Sequence, residues 1–207
     1  MKIRKGVYGR YMAWFMARGM GRYEGMVGIR KRELLEGLEG VLVEIGSGTG
    51  PNLRYIPPSL TVVGLDPNPH MHDRFIREAQ ELGMPPVLVL GSALALPFPD
   101  NSVDAVLSTL VLCSVRVPHD ALREILRVLK PGGRLLFVEH VGAPDGSWLK
   151  RFQRWIKPVW RWAGDGCEPD RDTEGHLRQA GFREVEVDRF VLPVPIVGPH
   201  IAGKAIK

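Results

Sequence analysis

The sequence predicts an α/β fold in which a parallel sheet is covered by helices on both faces. Three observations predict it. From residue 41 onward, short β-rich runs alternate with stretches of helical periodicity. The first run ends in a turn with glycine at every second position, Gly46, Gly48 and Gly50. At 207 residues the chain is long enough to close one full core.

The elements follow in order. Residues 1–40, including YMAWFMARGM, read as an N-terminal helical cover. VLVEI (41–45) and TVVGL (61–65) read as buried parallel strands, each followed by turn residues. PVLVL (86–90), VDAVLST (103–109) and RLLFVEHV (134–141) continue the sheet. Between them, His70–Leu82 and His119–Leu129 carry apolar residues at helical spacing, with KPGGR (130–134) expected to stop the second. Thr173–Gly181 reads as a helix closed by Gly181. FREVEVDRFVL then alternates as a strand does, and HIAGKAIK adds a last one. The expected total is seven strands, with a late pair after the fifth helix. The body of the fold is residues 41–207, carrying an aromatic and basic insertion at 144–163.

Composition narrows the class. With 44% hydrophobic and 25% charged residues the chain is neither disordered nor collagen-like. The longest charge-free stretch, 82–99, holds four prolines and cannot form a membrane helix. The N-terminus lacks an unbroken apolar core of the secretory kind. Two cysteines, Cys113 and Cys167, make no disulfide framework, which favours a reduced cytoplasmic protein. The net charge of +5 is concentrated in part at 144–163, where five Lys or Arg face one Asp. No nucleic-acid-binding motif accompanies it.

The glycine turn limits its ligand. A phosphate loop needs a lysine, and residues 46–53 contain none. A dinucleotide turn wants its third glycine at residue 51, which is Pro51. S-adenosylmethionine carries a cation and no phosphate, and carboxylates suit it. Glu44 can hold its ammonium end, directly or through water. Asp66, closing the second strand, can accept hydrogen bonds from its ribose. Glycines let an adenosyl group approach the backbone without a Cβ in the way.

EIGSGTG (44–50), GLDPNP (64–69), ALALPFPDNSVDAVLS (93–108) and VLKPGGRLLFVEH (128–140) together resemble a class I S-adenosylmethionine-dependent methyltransferase. STLVLCSV (108–115), DGCEPDRDT (165–173), GPHIAGKAIK (198–207) and YEGMVGIRKREL (23–34) extend the resemblance to the alkyl thiol methyltransferase type. The resemblance implies a Rossmann-like sheet of order 3-2-1-4-5-7-6 with strand seven antiparallel. It also implies that S-adenosylmethionine binds across the strands' carboxyl ends and leaves as S-adenosylhomocysteine. Carried over by position, Gly46, Ser47, Gly48, Gly50 and Asn52 belong to the binding loop, with Glu44 at its mouth. Asp66 binds ribose, Pro67, Asn68 and Met71 follow, and Met71 packs on adenine. Ser92, Ala93 and Leu94 read the adenine edge, and Thr109 and Leu110 lie beside the methyl. Many relatives have Asp where this chain has Ser92, and a hydroxyl accepts more weakly than a carboxylate. The apolar anchor of microsomal members has no equivalent here, because Arg10 and Arg18 interrupt the aromatic run.

Methyl transfer to a thiolate merges opposite charges, so alignment and a dry site should supply most of the rate. A free thiol, with a pKa near ~8.5, also needs a base at neutral pH. Candidates are His140 and Asp165; Cys167, without sequence neighbours of the right type, suggests no metal site. The expected acceptor is a small, fairly apolar molecule, a thiol by resemblance. A carbon or oxygen of a quinone precursor or lipid-like substrate is the alternative, and a non-catalytic cofactor-binding module the rival. The segment 148–162 (WLKRFQRWIKPVWRW) has three readings: core packing with snorkelling bases, a lid on the acceptor pocket, or peripheral membrane contact. Pro158 should kink or split its helix.

Overall fold

A computed structural model describes residues 6–207, with backbone alone for 15–20. Residues 1–5 of the expected cover, and the side chains of 15–20 in its aromatic run, lie outside the described residues. The chain runs α1 (Val7–Leu35), β1 (Gly40–Ile45), a 3-10 turn (Leu53–Tyr55), β2 (Leu60–Asp66), α2 (Pro69–Glu81), β3 (Leu88–Leu90) and β4 (Val103–Thr109). It continues through α3 (Pro118–Val128), β5 (Leu129–His140), α4 (Trp148–Ala163), α5 (Thr173–Gln179), β6 (Glu184–Val191) and β7 (Pro199–Ile206).

All seven strands form one sheet of order β3-β2-β1-β4-β5-β7-β6. β1 pairs in parallel with β2 and β4, and β7 runs antiparallel to both β5 and β6. The sequence-based expectation of this order and of the reversed seventh strand therefore holds. Because side chains alternate between faces of a strand, each buried strand feeds two cores. Leu42, Ala105, Leu107 and Leu136 meet Leu35 of α1 and Phe75 and Ala79 of α2 on one face. Val43, Ile45, Val106, Leu135 and Phe137 meet Leu122 and Ile125 of α3 and Leu177 of α5 on the other.

Three local expectations change. α3 stops at Val128, with Leu129 as its cap, directly before KPGGR as expected, but that segment is no free turn. The segment forms an irregularity inside β5, where Leu129 pairs with Val103 and the next pair is Arg134 with Ala105. A strand partner, β4, is there to capture the chain as soon as the helix ends. α4 runs unbroken through Pro158. Pro158 and Arg154, whose carbonyl loses its helical N–H, both lie exposed, where water can satisfy the group. The core-packing reading of 148–162 also fails. Trp148, Trp155, Val159 and Trp162 are 65–77% exposed, and the one buried residue of α4 is Gln153. That side chain pins the helix to the body: its Oε1 accepts from Ala143 N at 2.8 Å and its Nε2 donates to Ile196 O at 2.7 Å.

Candidate active site

β1, β2, β4 and β5 end at Ile45, Asp66, Thr109 and His140, all at one edge of the sheet. The residues there converge on a cavity of about 270 Å³. Gly46 and Gly48 form part of its wall with Asp66, Pro67, Asn68 and Met71. Leu110, Val111 and Cys113 extend it from β4, and His140 from β5. Met12 of α1 and Trp160 of α4 close it, with Asp165 and Cys167 from the turn after α4. Two wider recesses of about 510 Å³ lie elsewhere, and several of the charges lining them are paired, for instance Arg30 with Asp188 and Arg189 with Glu174.

The loop 46–50 is shaped for a ligand at one position. A Cβ at Gly46 would strike Val111, and one at Gly50 would crowd Leu53 and Phe75. At Gly48 it would meet nothing closer than the Gly46 carbonyl at 3.9 Å, although the residue has φ +55°. Gly48 therefore needs its conformation but faces open space. Asp66 holds the loop in place. Its Oδ2 accepts from Gly48 N at 2.9 Å, and its Oδ1 from Asn68 N at 2.7 Å. Burial pushes the Asp66 carboxyl above its ordinary range, although these backbone donors oppose it. Asn68 in turn caps α2 through His70 N and donates from Nδ2 to Gly9 O, which fastens the start of α1 across the site.

Behind the loop lies a buried polar group of unusual composition. Glu44 is 1% exposed, and its Oε1 accepts from Asn52 Nδ2 at 2.6 Å. The same amide donates to Thr109 Oγ1 at 3.2 Å. Glu44 Oε2, Ser47 Oγ and Asn52 Oδ1 are buried without a hydrogen-bond partner. Burial pushes the Glu44 carboxyl up to about 7, against the pull of Asn52 and Lys31. A cation brought near this acid would favour its ionised form.

The expected residues divide accordingly. Gly46, Gly48, Asp66, Pro67, Asn68, Met71, Leu110, His140 and Asp165 line the cavity together. Glu44, Ser47, Gly50, Asn52 and Thr109 stand behind the loop and do not line it. Ser92, Ala93 and Leu94 lie beyond β3, where Ser92 Oγ accepts from Leu94 N and Ala93 is buried in the core, and the cavity wall does not reach them. Leu110 and Asp165 have φ of +55° and +58°, a costly conformation for residues with side chains, and both sit in the wall.

Sequence reasoning misses several groups that matter here. It leaves Cys167 without partners, but the fold sets it beside His140 Nε2 at 2.8 Å and Trp160 Nε1 at 3.2 Å. Cys113, buried, comes from the loop after β4 to the same place. Cys113, then His140 and Trp160, hold the Cys167 thiol well below the usual range, at about 5. Glu139 is wholly buried; its carboxylate accepts from Ser108 Oγ and from the backbone of Val111 and Leu112, fixing the loop that carries Cys113. An acid inside the apolar run LLFVEH is a visible signal for that role. Among the carboxylates and bases lining the cavity in the described residues there is no Lys or Arg. A phosphate-bearing ligand would find nothing to neutralise it, whereas a cationic one meets Asp66 and Asp165.

Comparison with known proteins places these observations. The chain matches the methyltransferase-domain family model over residues 43–137. It is 40% identical to the thiol S-methyltransferase TMT1B of Homo sapiens over 191 residues, 86% of this chain and 78% of that protein. It is 34% identical to the human thiol S-methyltransferase TMT1A over 211 residues, 96% of this chain and 86% of that one. Among solved structures, the YcgJ protein of Bacillus subtilis superimposes with a TM-score of 0.69 at 20% identity, covering 88% of this chain and 96% of its own.

Proposed function

The chain belongs to the S-adenosylmethionine-dependent methyltransferase family, and from that premise we propose that its acceptor is a small, fairly apolar thiol. The observation that carries the thiol reading is identity of 34–40% to thiol S-methyltransferases over most of both chains. The small, largely apolar cavity agrees with it, since Met12, Met71, Leu110, Val111 and Trp160 leave little room for a macromolecule.

The donor fits the residues present. Gly48 leaves space for an adenosyl group, and Asp66 has lone pairs remaining for the ribose hydroxyls. The unpartnered oxygens of Glu44, Ser47 and Asn52 lie behind the loop, outside the cavity wall, and favour a cationic group in front of it. Met71, in the cavity wall, packs on adenine, whose edge would have to extend past that wall to meet Ser92, Ala93 and Leu94 beyond β3. S-adenosylmethionine bound there supplies an electrophilic methyl on a sulfonium. The chain's own contribution is to orient, to exclude water and to manage one proton. The wall of Met12, Leu110 and Trp160 keeps the acceptor's sulfur poorly hydrated, which raises its nucleophilicity toward a cation. His140 and Asp165, both in the wall, are the candidate proton acceptors. The described part of the N-terminal segment and 144–163 act together as a cover: Tyr8 Oη donates to Trp162 O at 3.0 Å, which joins α1 to α4, and Met12 and Trp160 of the same two helices line the cavity. Cytoplasmic location accords with two unlinked cysteines.

Purified protein offered equal concentrations of small thiols, phenols and quinone precursors should methylate the thiols fastest, as followed by S-adenosylhomocysteine release and product mass. Turnover confined to carbon or oxygen acceptors would make the alternative correct. Saturable donor binding with no turnover on the panel would leave a binding module.

A second reading concerns α4. No helix among the described residues is long and apolar enough to cross a membrane. Yet Trp148, Trp155, Val159 and Trp162 stand exposed on a helix that also carries Lys150, Arg151, Arg154, Lys157 and Arg161. This combination suits peripheral contact with an anionic surface. Flotation with phosphatidylserine vesicles is expected at low salt and to fall sharply at high salt, and Trp155→Ser with Trp162→Ser should abolish it. Equal recovery without vesicles would remove this reading.

A further inference from the structure

Cys113, His140 and Cys167 are held as a set. Cys113 follows β4, on the loop that Glu139 fastens by its backbone N–H groups. His140 ends β5 and is 3% exposed. Cys167 follows α4, in a turn closed by its own N–H to Gly164 O at 3.0 Å. Glu168 N donates to Cys113 O at 3.0 Å, so the two cysteine-bearing loops are tied directly. The two sulfurs and a ring nitrogen all lie within 4.8 Å of one another, and all three residues line the cavity.

We propose that these three side chains form a zinc-class metal site whose fourth position opens into the cavity and takes the acceptor's sulfur. The acceptor half of this inference rests on the thiol reading above; the metal half does not.

Ligand type and geometry both support it. Two thiolates and an imidazole are the donors that soft or borderline divalent ions prefer. Three protein ligands with an open position are the arrangement of catalytic rather than structural zinc. With Zn–S of ~2.3 Å and Zn–N of ~2.0 Å, a tetrahedral site spaces sulfur and nitrogen by about 3.6 Å and two sulfurs by about 3.8 Å. The observed His140 Nε2 to Cys167 Sγ distance of 2.8 Å need widen by only about 0.8 Å, less than a rotamer change. A divalent ion with two thiolates and a neutral imidazole has no net charge, which an apolar cavity tolerates. The Trp160 indole N–H, 3.2 Å from Cys167 Sγ, would remain as a donor to the ligated sulfur.

The chemistry balances without an oxidant. An acceptor R–SH loses its proton to Asp165 or solvent as its sulfur joins the metal, because the ion lowers the thiol pKa; His140, as a ligand, is then not the base. A lone pair on that sulfur then forms the new S–CH3 bond while the carbon–sulfonium bond breaks. The bonding pair goes to the departing sulfur, which becomes a neutral thioether. The methylated product, now a thioether and a poor ligand, leaves the fourth position.

The test uses full-length protein purified under reducing conditions without chelator. Elemental analysis should find about one zinc per chain. Replacement by cobalt(II) should give a thiolate-to-cobalt charge-transfer absorption that changes when a small thiol is added. Cys113→Ser, His140→Ala and Cys167→Ser should each weaken metal binding by at least about 100-fold, and Trp160→Phe, which keeps every ligand, by about 10-fold. If a ligand variant does not fold, the wild-type cobalt titration still decides. Lack of a charge-transfer band at stoichiometric cobalt, or a Cys113–Cys167 disulfide in place of metal, would overturn the metal site. A band unaffected by thiols would overturn the acceptor's role. Chelated, metal-free protein that methylates thiols at the full rate would overturn the role while leaving the thiol reading intact. Metal-loaded protein that methylates no thiol would defeat that reading instead.

Discussion

Gly48→Val is expected to abolish donor binding, raising the dissociation constant for S-adenosylhomocysteine by at least about 100-fold, or about 2.7 kcal/mol. The side chain would project into the open space that the loop leaves for the adenosyl group. Two causes must be separated. Valine at φ +55° is strained, a cost of about 1–2 kcal/mol or more that acts on folding itself. Gly48→Asn supplies similar bulk in a residue that tolerates this backbone region. Calorimetry should show both variants unable to bind, with thermal stability lowered mainly in the valine form. Normal affinity in the asparagine form would mean that the ligand does not approach the loop there.

Lys31→Met should lower stability by about 3–5 kcal/mol, the usual cost of stranding one member of a buried ion pair. For a chain of this size the melting temperature should fall by roughly 6–20 °C. Lys31 has no side-chain exposure, and its Nζ contacts both carboxylate oxygens of Glu24, at 2.7 and 2.8 Å. Tyr23 and Tyr55 place their rings 5.7 and 5.6 Å from the same ammonium. Burial lowers the Lys31 pKa, and Glu24 is what opposes that shift most. Replacing both partners, with Glu24→Gln beside Lys31→Met, should recover much of the loss, because no charge is then left alone. Equal melting curves for wild type and the single variant would show that the pair contributes nothing, as many exposed pairs do.

The parts of the fold legible in the sequence are those whose cause is local. VLVEI followed by three spaced glycines, and VVGL followed by Asp66, carry their strand periodicity and turn chemistry within a few residues. The Gly48 and Asp66 pairing, closed by a 2.9 Å hydrogen bond, needs only two adjacent parallel strands to be predicted. KPGGR is legible only in part for the same reason: its turn residues mark the end of α3, but that they also bulge a strand depends on β4 lying alongside. In α1, Glu24, Val27, Lys31 and Leu35 recur at helical spacing and are all buried. The stripe is visible in the sequence, yet two charged members make it read as a solvent face.

Sequence alone determined the sheet, its glycine loop and a phosphate-free ligand site, because periodicity, turn geometry and missing lysines are properties of short segments. Only the tertiary structure decided that α4 turns Trp148, Trp155 and Trp162 outward and Trp160 inward, and that Cys113, His140 and Cys167 meet. Those three residues come from the loop after β4, the end of β5 and the turn after α4, and their proximity depends on how these pack at one edge. No local pattern encodes a distance of that kind; it exists only once the strands have chosen their neighbours.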